Sequence, residues 1–312
     1  MDLDLEGAGH VTQVFAECLE TPGQPRLHLE QWRNPKPGGV LVVMPGLGDH
    51  CGRYAHLARR LAGEAGLVDV IGFDPRGHGR SEGRRGVVRA YDELIDDLVR
   101  VVRWASERLP TLPTFLLGHS NGGLAVLAAL LDRRVEAAGV ILTAPALALK
   151  VRVPWWKLTA GRVLEWVAPW ATLGGRLPSE HLSRDPAMVA ARSADPLVHC
   201  RLSPPLFFGL RKTGARVFAG ASQIRAPTLI IVGERDPVID TLSTLQFASR
   251  LGSSDVTVEV VAEGVHEPLH DLGWAERIET IAGWLRQRLG TRPDDANQPP
   301  GSWPLNRGRT EA

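Results

Sequence analysis

Gly118-His119-Ser120-Asn121-Gly122 stands between an apolar run, Thr114–Leu117, and a segment of small residues with helical composition, Gly122–Leu131. A strand that turns sharply into a helix leaves the side chain at the corner exposed, and glycines two residues to either side avoid a clash there. The free N–H groups at the helix N-terminus then stabilise negative charge that develops nearby. The five-residue pattern alone is common, and a serine that caps a helix also fits it. The strand–turn–helix setting favours Ser120 as a nucleophile.

Apolar runs of strand length alternate with segments of helical periodicity on both sides of this motif. The predicted strands are Val11–Cys18, Leu27–Trp32, Val40–Met44, Val68–Phe73, Thr114–Leu117, Val140–Thr143, Thr228–Val232 and Val256–Val261. The predicted helices are His56–Ala65, Tyr91–Arg108, Gly122–Leu131 and Trp274–Leu289. This alternation predicts an α/β protein with a mostly parallel sheet and helices on both faces.

One long segment interrupts the alternation of strands and helices. It runs from 145 to 224, is helix-like, and contains Trp155, Trp156, Trp166 and Trp170. We expect an α/β core formed by 11–144 and 225–290, with 145–224 as a helical cap. The tail 291–312 holds many Pro, Gly, Asn and Asp residues and few aliphatic ones, and this composition predicts disorder.

The composition limits the classes of function. The 312 residues carry 36 basic and 35 acidic side chains, a formal net charge of +1. A dedicated nucleic-acid binder usually has a clear basic excess, so nucleic acid is not an expected partner. The three cysteines are widely spaced and fit neither a disulfide framework nor a zinc site. No apolar run reaches the ~20 residues of a membrane span, and the polar start does not read as a signal peptide. We therefore expect a cytoplasmic protein.

A serine hydroxyl needs a base to take its proton before it becomes a strong nucleophile. His266 follows the predicted strand Val256–Val261 through a short loop, so it lies at that strand's carboxyl end, where ligands bind in such sheets. His270 is the rival, four residues further on, and is expected to have a local structural role. His119 precedes the serine, and neighbouring strand residues point to opposite faces. His266 is thus the predicted base.

The acid that orients the base should follow the preceding strand, Thr228–Val232, in the chain order Ser…Asp…His. Asp236 lies in the loop after that strand and is the preferred residue. A carboxylate there accepts the second imidazole N–H and fixes the tautomer. Asp240 and Glu234 are alternatives, and an aspartate before proline is also a common turn former.

Backbone N–H groups are the predicted donors to the oxyanion. The loop Met44–His50 follows a buried strand, and in this arrangement one of its N–H groups joins the N–H that follows the nucleophile. The two donors are expected to be those of Leu47 and Asn121. Cys51 follows this loop, and a buried inert thiol is favoured over a role in the pocket.

These residues resemble the monoacylglycerol lipase and lysophospholipase group of α/β-hydrolases over about Val11 to Leu289. Five stretches carry the resemblance: Gly46–Tyr54, Asp74–Ser81, Gly118–Gly123, His266–His270 and, within the expected cap, Leu182-Ser183-Arg184-Asp185-Pro186. The resemblance implies an eight-stranded sheet, a helical cap inserted after strand 6, no cofactor and no metal. It also implies hydrolysis of single-chain glycerides or related esters by Ser120, Asp236 and His266.

Two departures from the family pattern concern the oxyanion loop and the nucleophile. The group often has His-Gly where this chain has Pro45-Gly46, so the support of the loop is expected to differ. It often has Met where this chain has Asn121, whose amide offers an additional polar contact.

Several alternatives stay open at the level of sequence. A short-chain carboxylesterase, a thioesterase or a cofactor-free haloperoxidase would use the same fold, and a non-catalytic binder is a further class. The cap tryptophans fit either a small core or an apolar substrate channel. The expected partner is an ester with an apolar acyl chain, and the cap could make transient contact with a membrane surface.

Overall fold

The computed structural model describes residues 13–150, 153–174 and 178–289. Within these ranges the strands are β1 (Val14–Leu19), β2 (Leu27–Trp32), β3 (Val40–Met44), β4 (Asp69–Phe73), β5 (Thr114–His119), β6 (Gly139–Thr143), β7 (Leu173–Gly174), β8 (Arg201–Leu202), β9 (Thr228–Gly233) and β10 (Val256–Val261). The helices are α1 (Ala55–Ala58), α2 (Asp92–Arg108), α3 (Asn121–Leu131), α4 (Trp155–Val167), α5 (Pro186–Ala194), α6 (Pro204–Ala219), α7 (Thr241–Ala248) and α8 (Trp274–Leu289). The predicted disordered tail, 291–312, lies outside the described residues.

Eight of these strands form one sheet in the order β1-β2-β4-β3-β5-β6-β9-β10. β2 pairs antiparallel with both β1 and β4, and every other pairing in the sheet is parallel. The carboxyl ends of β3, β5, β6, β9 and β10 therefore meet at one edge, and the loops that follow them are neighbours. The predicted α/β class with an eight-stranded, mostly parallel sheet is confirmed.

Alternate residues of the central strands pack on opposite faces of the sheet. In β3, Val42 joins the cluster formed with α2, α3 and α6, whereas Leu41 and Val43 join the cluster formed with α1 and α8. All five residues of β3 are buried. A strand buried on both faces reads as a continuous apolar run, which is why Val40–Met44 was identifiable from the sequence.

The predicted element bounds differ from the structure mainly at element ends. β5 continues two residues beyond Leu117, because Gly118 and His119 pair with Leu142 and Thr143 of β6. The predicted helix His56–Ala65 is instead α1 followed by a π-type turn, Arg59–Glu64.

The segment 145–224 lies between β6 and β9 and contains α4, α5, α6 and the two-stranded ribbon β7-β8. The ribbon was not predicted, since each of its strands is two residues long. Across the described part of the chain, the helices lack the combination of length and apolar composition that a bilayer crossing requires.

Candidate active site

Ser120 occupies the corner between β5 and α3 with φ 50° and ψ −114°. A side-chain-bearing residue rarely adopts positive φ, and such strain is found where the surrounding structure fixes the backbone. Here the Ser120 N–H donates to Thr143 O at 2.9 Å, and Ser120 O accepts from Ala146 N at 3.0 Å. These two bonds hold the corner against β6 and the start of the segment 145–224.

The motif glycines are required by close backbone contacts. A Cβ at Gly118 would lie 2.6 Å from the Cα of Gly123. A Cβ at Gly122 would lie 2.3 Å from Met44 O and 2.5 Å from Pro45 O. The helix start is therefore packed directly against the end of β3 and the loop that follows it.

His266 links the serine to the predicted acid. Its Nε2 lies 3.0 Å from Ser120 Oγ, and its Nδ1 lies 2.8 Å from Asp236 Oδ2. Asp236 Oδ1 accepts the N–H groups of Val238 at 2.7 Å and Ile239 at 2.9 Å. Burial raises the pKa of this carboxyl, but the hydrogen bonds from His266 and the two N–H groups outweigh it and leave the pKa below its usual range. The structure thus brings together the three side chains that the sequence singled out.

The rival acids have other contacts. Asp240 is the N-cap of α7, where its Oδ2 accepts the Ser243 N–H at 3.2 Å. Glu234 Oε2 accepts the Glu263 N–H at 3.0 Å in an exposed turn. These contacts assign both residues to local structure.

The rival histidines are buried beside the site. His270 Nε2 lies 3.0 Å from Arg53 O, and burial together with Arg53 lowers its pKa to about 3. It belongs to a single turn, Pro268–His270, rather than to α8. His119 Nδ1 lies 3.0 Å from Thr143 Oγ1, and burial and the nearby His266 lower its pKa to about 4. Both are neutral at physiological pH, and their hydrogen bonds are made to groups other than the serine hydroxyl.

The predicted oxyanion donors border the same cavity as Ser120. Leu47 and Asn121 both line it. The side-chain amide of Asn121 is engaged elsewhere, since Tyr91 Oη donates to Asn121 Oδ1 at 2.9 Å. The loop carrying Leu47 is held in part by the segment 145–224, because the His199 N–H donates to Gly48 O at 2.9 Å.

The cavity beside Ser120 has a volume of about 570 Å³ and a largely apolar lining. Many of its walls come from the segment 145–224, including Leu149, Leu158, Leu202, Phe207, Phe208 and Leu210. A cavity of this size and lining suits an aliphatic chain that ends at a polar reacting group.

A network of buried ion pairs, to which no role was assigned from the sequence, lies at the polar end of this cavity. Arg53 lies 3.0 Å from Asp49 Oδ2 and 2.7 Å from Glu267 Oε2, and Arg192 of α5 lies 3.3 Å from Glu267 Oε1. Burial raises the pKa of Glu267, but Arg53 outweighs it and lowers that pKa to about 2. Arg53 and Glu267 lie in stretches that carry the family resemblance, and that resemblance is the sequence signal that could have identified them.

Among the described residues, one group of side chains could offer ligands to a metal ion. His28, Cys51 and Asp74 offer ligand atoms within 4.8 Å of one another. The Asp74 carboxylate already accepts the N–H groups of Cys51 and Arg80, each at 2.7 Å. Burial and the nearby Asp74 raise the pKa of the Cys51 thiol, which disfavours a thiolate ligand. These contacts give the cluster a structural role in holding the loop.

Comparison with known proteins agrees with this geometry. The profile of the family described as "Serine aminopeptidase, S33" matches residues 35–273. A monoacylglycerol lipase of Mycolicibacterium smegmatis is 32% identical over 269 residues, which cover 86% of this chain and 95% of that protein. The Homo sapiens monoglyceride lipase is 34% identical over 263 residues, which cover 82% of this chain and 84% of that protein.

The crystal structure of Paleococcus ferrophilus monoacylglycerol lipase superposes with a TM-score of 0.75 at 32% identity, covering 84% of this chain and 99% of that one. The profile match and the two relatives each span most of this chain. This chain therefore belongs to the serine aminopeptidase S33 family of α/β-hydrolases, together with the monoacylglycerol lipases.

Proposed function

We propose that this serine hydrolase cleaves carboxylic esters of a single acyl chain, with monoacylglycerols first and lysophospholipids second, through an acyl-enzyme on Ser120. The observation that carries the proposal is the position of His266, whose two ring nitrogens reach Ser120 Oγ and Asp236 Oδ2. This is the arrangement in which a base takes the serine proton while an acid fixes the tautomer.

The reaction has two steps, formation of the acyl-enzyme and its hydrolysis. In the first, Ser120 Oγ attacks the ester carbonyl as its proton moves to His266 Nε2, and the N–H groups of Leu47 and Asn121 stabilise the oxyanion. The intermediate then releases the alcohol, which takes the proton from His266. In the second step, water gives a proton to His266 and attacks the acyl carbonyl, and His266 returns that proton to Ser120 Oγ as the bond to the acyl group breaks and the fatty acid leaves.

The apolar cavity supports the acyl preference. Each buried methylene contributes about 0.8 kcal/mol, so kcat/KM should rise with chain length until the cavity fills. We also propose that the segment 145–224 acts as a cap, because many of the cavity walls belong to it. A cap over one cavity disfavours triacylglycerols, whose additional chains have no matching space.

A panel of p-nitrophenyl esters and monoacylglycerols of graded chain length tests the proposal. We expect a maximum at a medium or long chain, and no turnover in a folded Ser120→Ala variant. A maximum at acetate or butyrate without turnover of any monoacylglycerol would leave a short-chain carboxylesterase. Faster cleavage of acyl thioesters than of the matched oxygen esters would favour a thioesterase. Activity in Ser120→Ala would contradict the nucleophile.

We further propose that the cap makes transient contact with a lipid bilayer. Trp155, Trp156 and Trp166 of α4 are 77, 55 and 90% exposed, a costly arrangement in water. α4 and α6 together carry five basic side chains and one acidic side chain, although the whole chain has a net charge of only +1. Exposed aromatics beside basic groups are typical of surfaces that bind anionic lipid.

Co-sedimentation with phosphatidylglycerol-containing vesicles tests the membrane contact. Binding should weaken in Trp155→Ser/Trp166→Ser and at high salt. The control is Leu242→Ser, which removes another exposed apolar side chain, 68% exposed, outside the cap segment. Equal binding by the double variant and the control would contradict the proposal.

A cytoplasmic location is also proposed. Cys18 and Cys200 are exposed and unpaired thiols, a state that reducing compartments preserve. Cell fractionation followed by maleimide labelling would test this, and recovery of the protein in an oxidising compartment would contradict it.

A further inference from the structure

Three consecutive cap residues, Leu182-Ser183-Arg184, contact the loop that carries His266. We call these three residues the clasp and residues 265–271 the histidine loop. Leu182 O accepts the Glu267 N–H at 2.9 Å, and Ser183 Oγ donates to His270 O at 2.6 Å. The clasp thus meets the histidine loop through main-chain atoms directly after His266 and again three residues later.

The third clasp residue forms the strongest contact. The Arg184 N–H donates to Asp271 Oδ1 at 2.6 Å, and its guanidinium reaches Asp271 Oδ2 with Nε at 2.9 Å and Nη2 at 2.8 Å. Asp271 is 1% exposed, and charge-assisted bonds of this kind are about twice as strong as neutral ones. Asp271 Oδ2 also accepts the Val265 N–H at 3.4 Å. One carboxylate therefore joins the two ends of the histidine loop to the cap.

The clasp ends where the helix α5 begins. Asp185 is the N-cap of α5 and accepts the Ala187 N–H at 2.9 Å, while Pro186 occupies the first turn of that helix. Asp185 N in turn donates to Ser183 Oγ at 3.0 Å. The stretch Leu182–Pro186 thus combines a helix start with a set of donors and acceptors aimed at the histidine loop.

Catalysis depends strongly on the position of the base. A displacement of about 1 Å can cost about 10²-fold in rate, because proton transfer requires hydrogen-bond reach. His266 lies between Val265 and Glu267, whose N–H groups are bound by Asp271 and by Leu182 O respectively. The backbone on both sides of the imidazole is therefore held by the clasp or by the carboxylate that the clasp binds.

We propose that the clasp residues Ser183 and Arg184 are positioning residues for the base, so that the cap contributes to the chemical step and not to acyl binding alone. This inference rests on the proposed role of His266. It requires that loss of the clasp slow the cleavage of every ester, including acetates too short to occupy the apolar cavity.

The test compares Arg184→Gln and Arg184→Lys on p-nitrophenyl acetate and on a long-chain ester. Arg184→Gln should lower kcat about tenfold or more on both esters with little change in KM, and Arg184→Lys should recover part of the loss. The rate of fluorophosphonate labelling of Ser120 should fall in parallel. The control is Arg216→Gln, which removes another cap-to-core ion pair, with Asp132, outside the histidine loop.

Arg184→Gln leaves the buried charge of Asp271 unpaired, which destabilises the fold. Two further variants therefore distinguish a loss of positioning from misfolding. Arg184→Gln/Asp271→Asn removes both charges, and Ser183→Ala removes the two neutral bonds of the Ser183 hydroxyl. Both should fold and still show reduced kcat on acetate.

Folded clasp variants with wild-type kcat on acetate, or with a loss confined to KM for long chains, would overturn the inference while leaving the proposed function intact. Full activity in His266→Ala would overturn both.

Discussion

Asp236 and His266 are joined by a hydrogen bond of 2.8 Å between Oδ2 and Nδ1, and both side chains are buried. They belong to loops at the carboxyl ends of neighbouring parallel strands, β9 and β10, whose last paired residues are Gly233 and Val261. The sheet register thus brings together two residues that lie thirty positions apart. Two backbone N–H groups hold the other carboxylate oxygen, so the acid has a fixed orientation.

Replacing Asp236 by Asn should lower kcat by about 10⁴-fold, because an amide in this position stabilises the wrong imidazole tautomer. Steady-state kinetics on the preferred ester measures this. The matched control is Asp240→Asn. Asp240 caps α7, and its replacement should lower the free energy of unfolding by no more than about 1 kcal/mol. If Asp240→Asn lost most of its kcat while Asp236→Asn stayed active, Asp240 would be the acid that orients His266.

Gly122→Ala should abolish or strongly reduce activity. The new methyl group would lie 2.3 Å from Met44 O and 2.5 Å from Pro45 O, so either the helix start or the oxyanion loop must move. Gly283→Ala is the control, because no heavy atom lies within 4 Å of its added Cβ. In the interior of α8 it should raise the free energy of unfolding by about 1 kcal/mol. Wild-type kcat in Gly122→Ala would contradict the packing argument.

Much of the sheet was predictable because the central parallel strands are buried and carry continuous apolar residues, while the partly exposed edge strand β10 is rich in valine. β3, β10 and α8 have the predicted bounds, whereas β5 was predicted two residues short. The missing residues, Gly118 and His119, have little strand preference and are included because β6 pairs with them.

The contacts that the segment 145–224 makes with the rest of the protein could not be predicted from local sequence. Ser183 and His270 lie 87 positions apart, and neither helical nor strand periodicity reports a pairing of that kind. The chain order Ser…Asp…His identified Ser120, Asp236 and His266, because those residues follow strands that the sequence does reveal.

Arg53→Gln should lower the free energy of unfolding by about 3–5 kcal/mol at pH 7, because it leaves Asp49 and Glu267 buried without their main cation. Arg53 holds the pKa values of both carboxyls below their usual range. The stabilisation is therefore present above the unfolded pKa, about 4, and is lost as the pH falls toward the folded value of Glu267, about 2.

Urea unfolding of the wild type and of Arg53→Gln across the acid range measures this dependence. The difference between the two proteins should be largest near neutrality and should shrink as the pH falls below about 4. Arg60→Gln provides the control, since its exposed pair with Glu279 should contribute less than about 1 kcal/mol. If the difference in unfolding free energy instead grew as the pH fell, the direction assigned to the two pKa shifts would be wrong.

Tyr91 and Asn121 form a buried polar pair behind the proposed oxyanion donor. Tyr91 Oη donates to Asn121 Oδ1 at 2.9 Å and lies 3.2 Å from Asn121 O. Removing one partner of a buried hydrogen bond costs about 1–3 kcal/mol, because the other is left desolvated. Tyr91→Phe should therefore destabilise the protein and lower kcat, since Asn121 begins α3 directly after Ser120, the proposed nucleophile.

Replacing both partners by apolar groups avoids the unpaired group. The double variant Tyr91→Phe/Asn121→Met places at 121 the residue that the monoacylglycerol lipase group often carries, and it should be less destabilised than the sum of the single variants. Thermal unfolding and ester kinetics on all four members of this cycle give a coupling free energy, expected to be about 1 kcal/mol or more. The backbone N–H of residue 121 is present in every variant, so the double variant should recover most of the kcat lost in Tyr91→Phe. Strictly additive effects would mean that the bond does not support the oxyanion donor, and the tyrosine would then serve the packing of α2 against α3 alone.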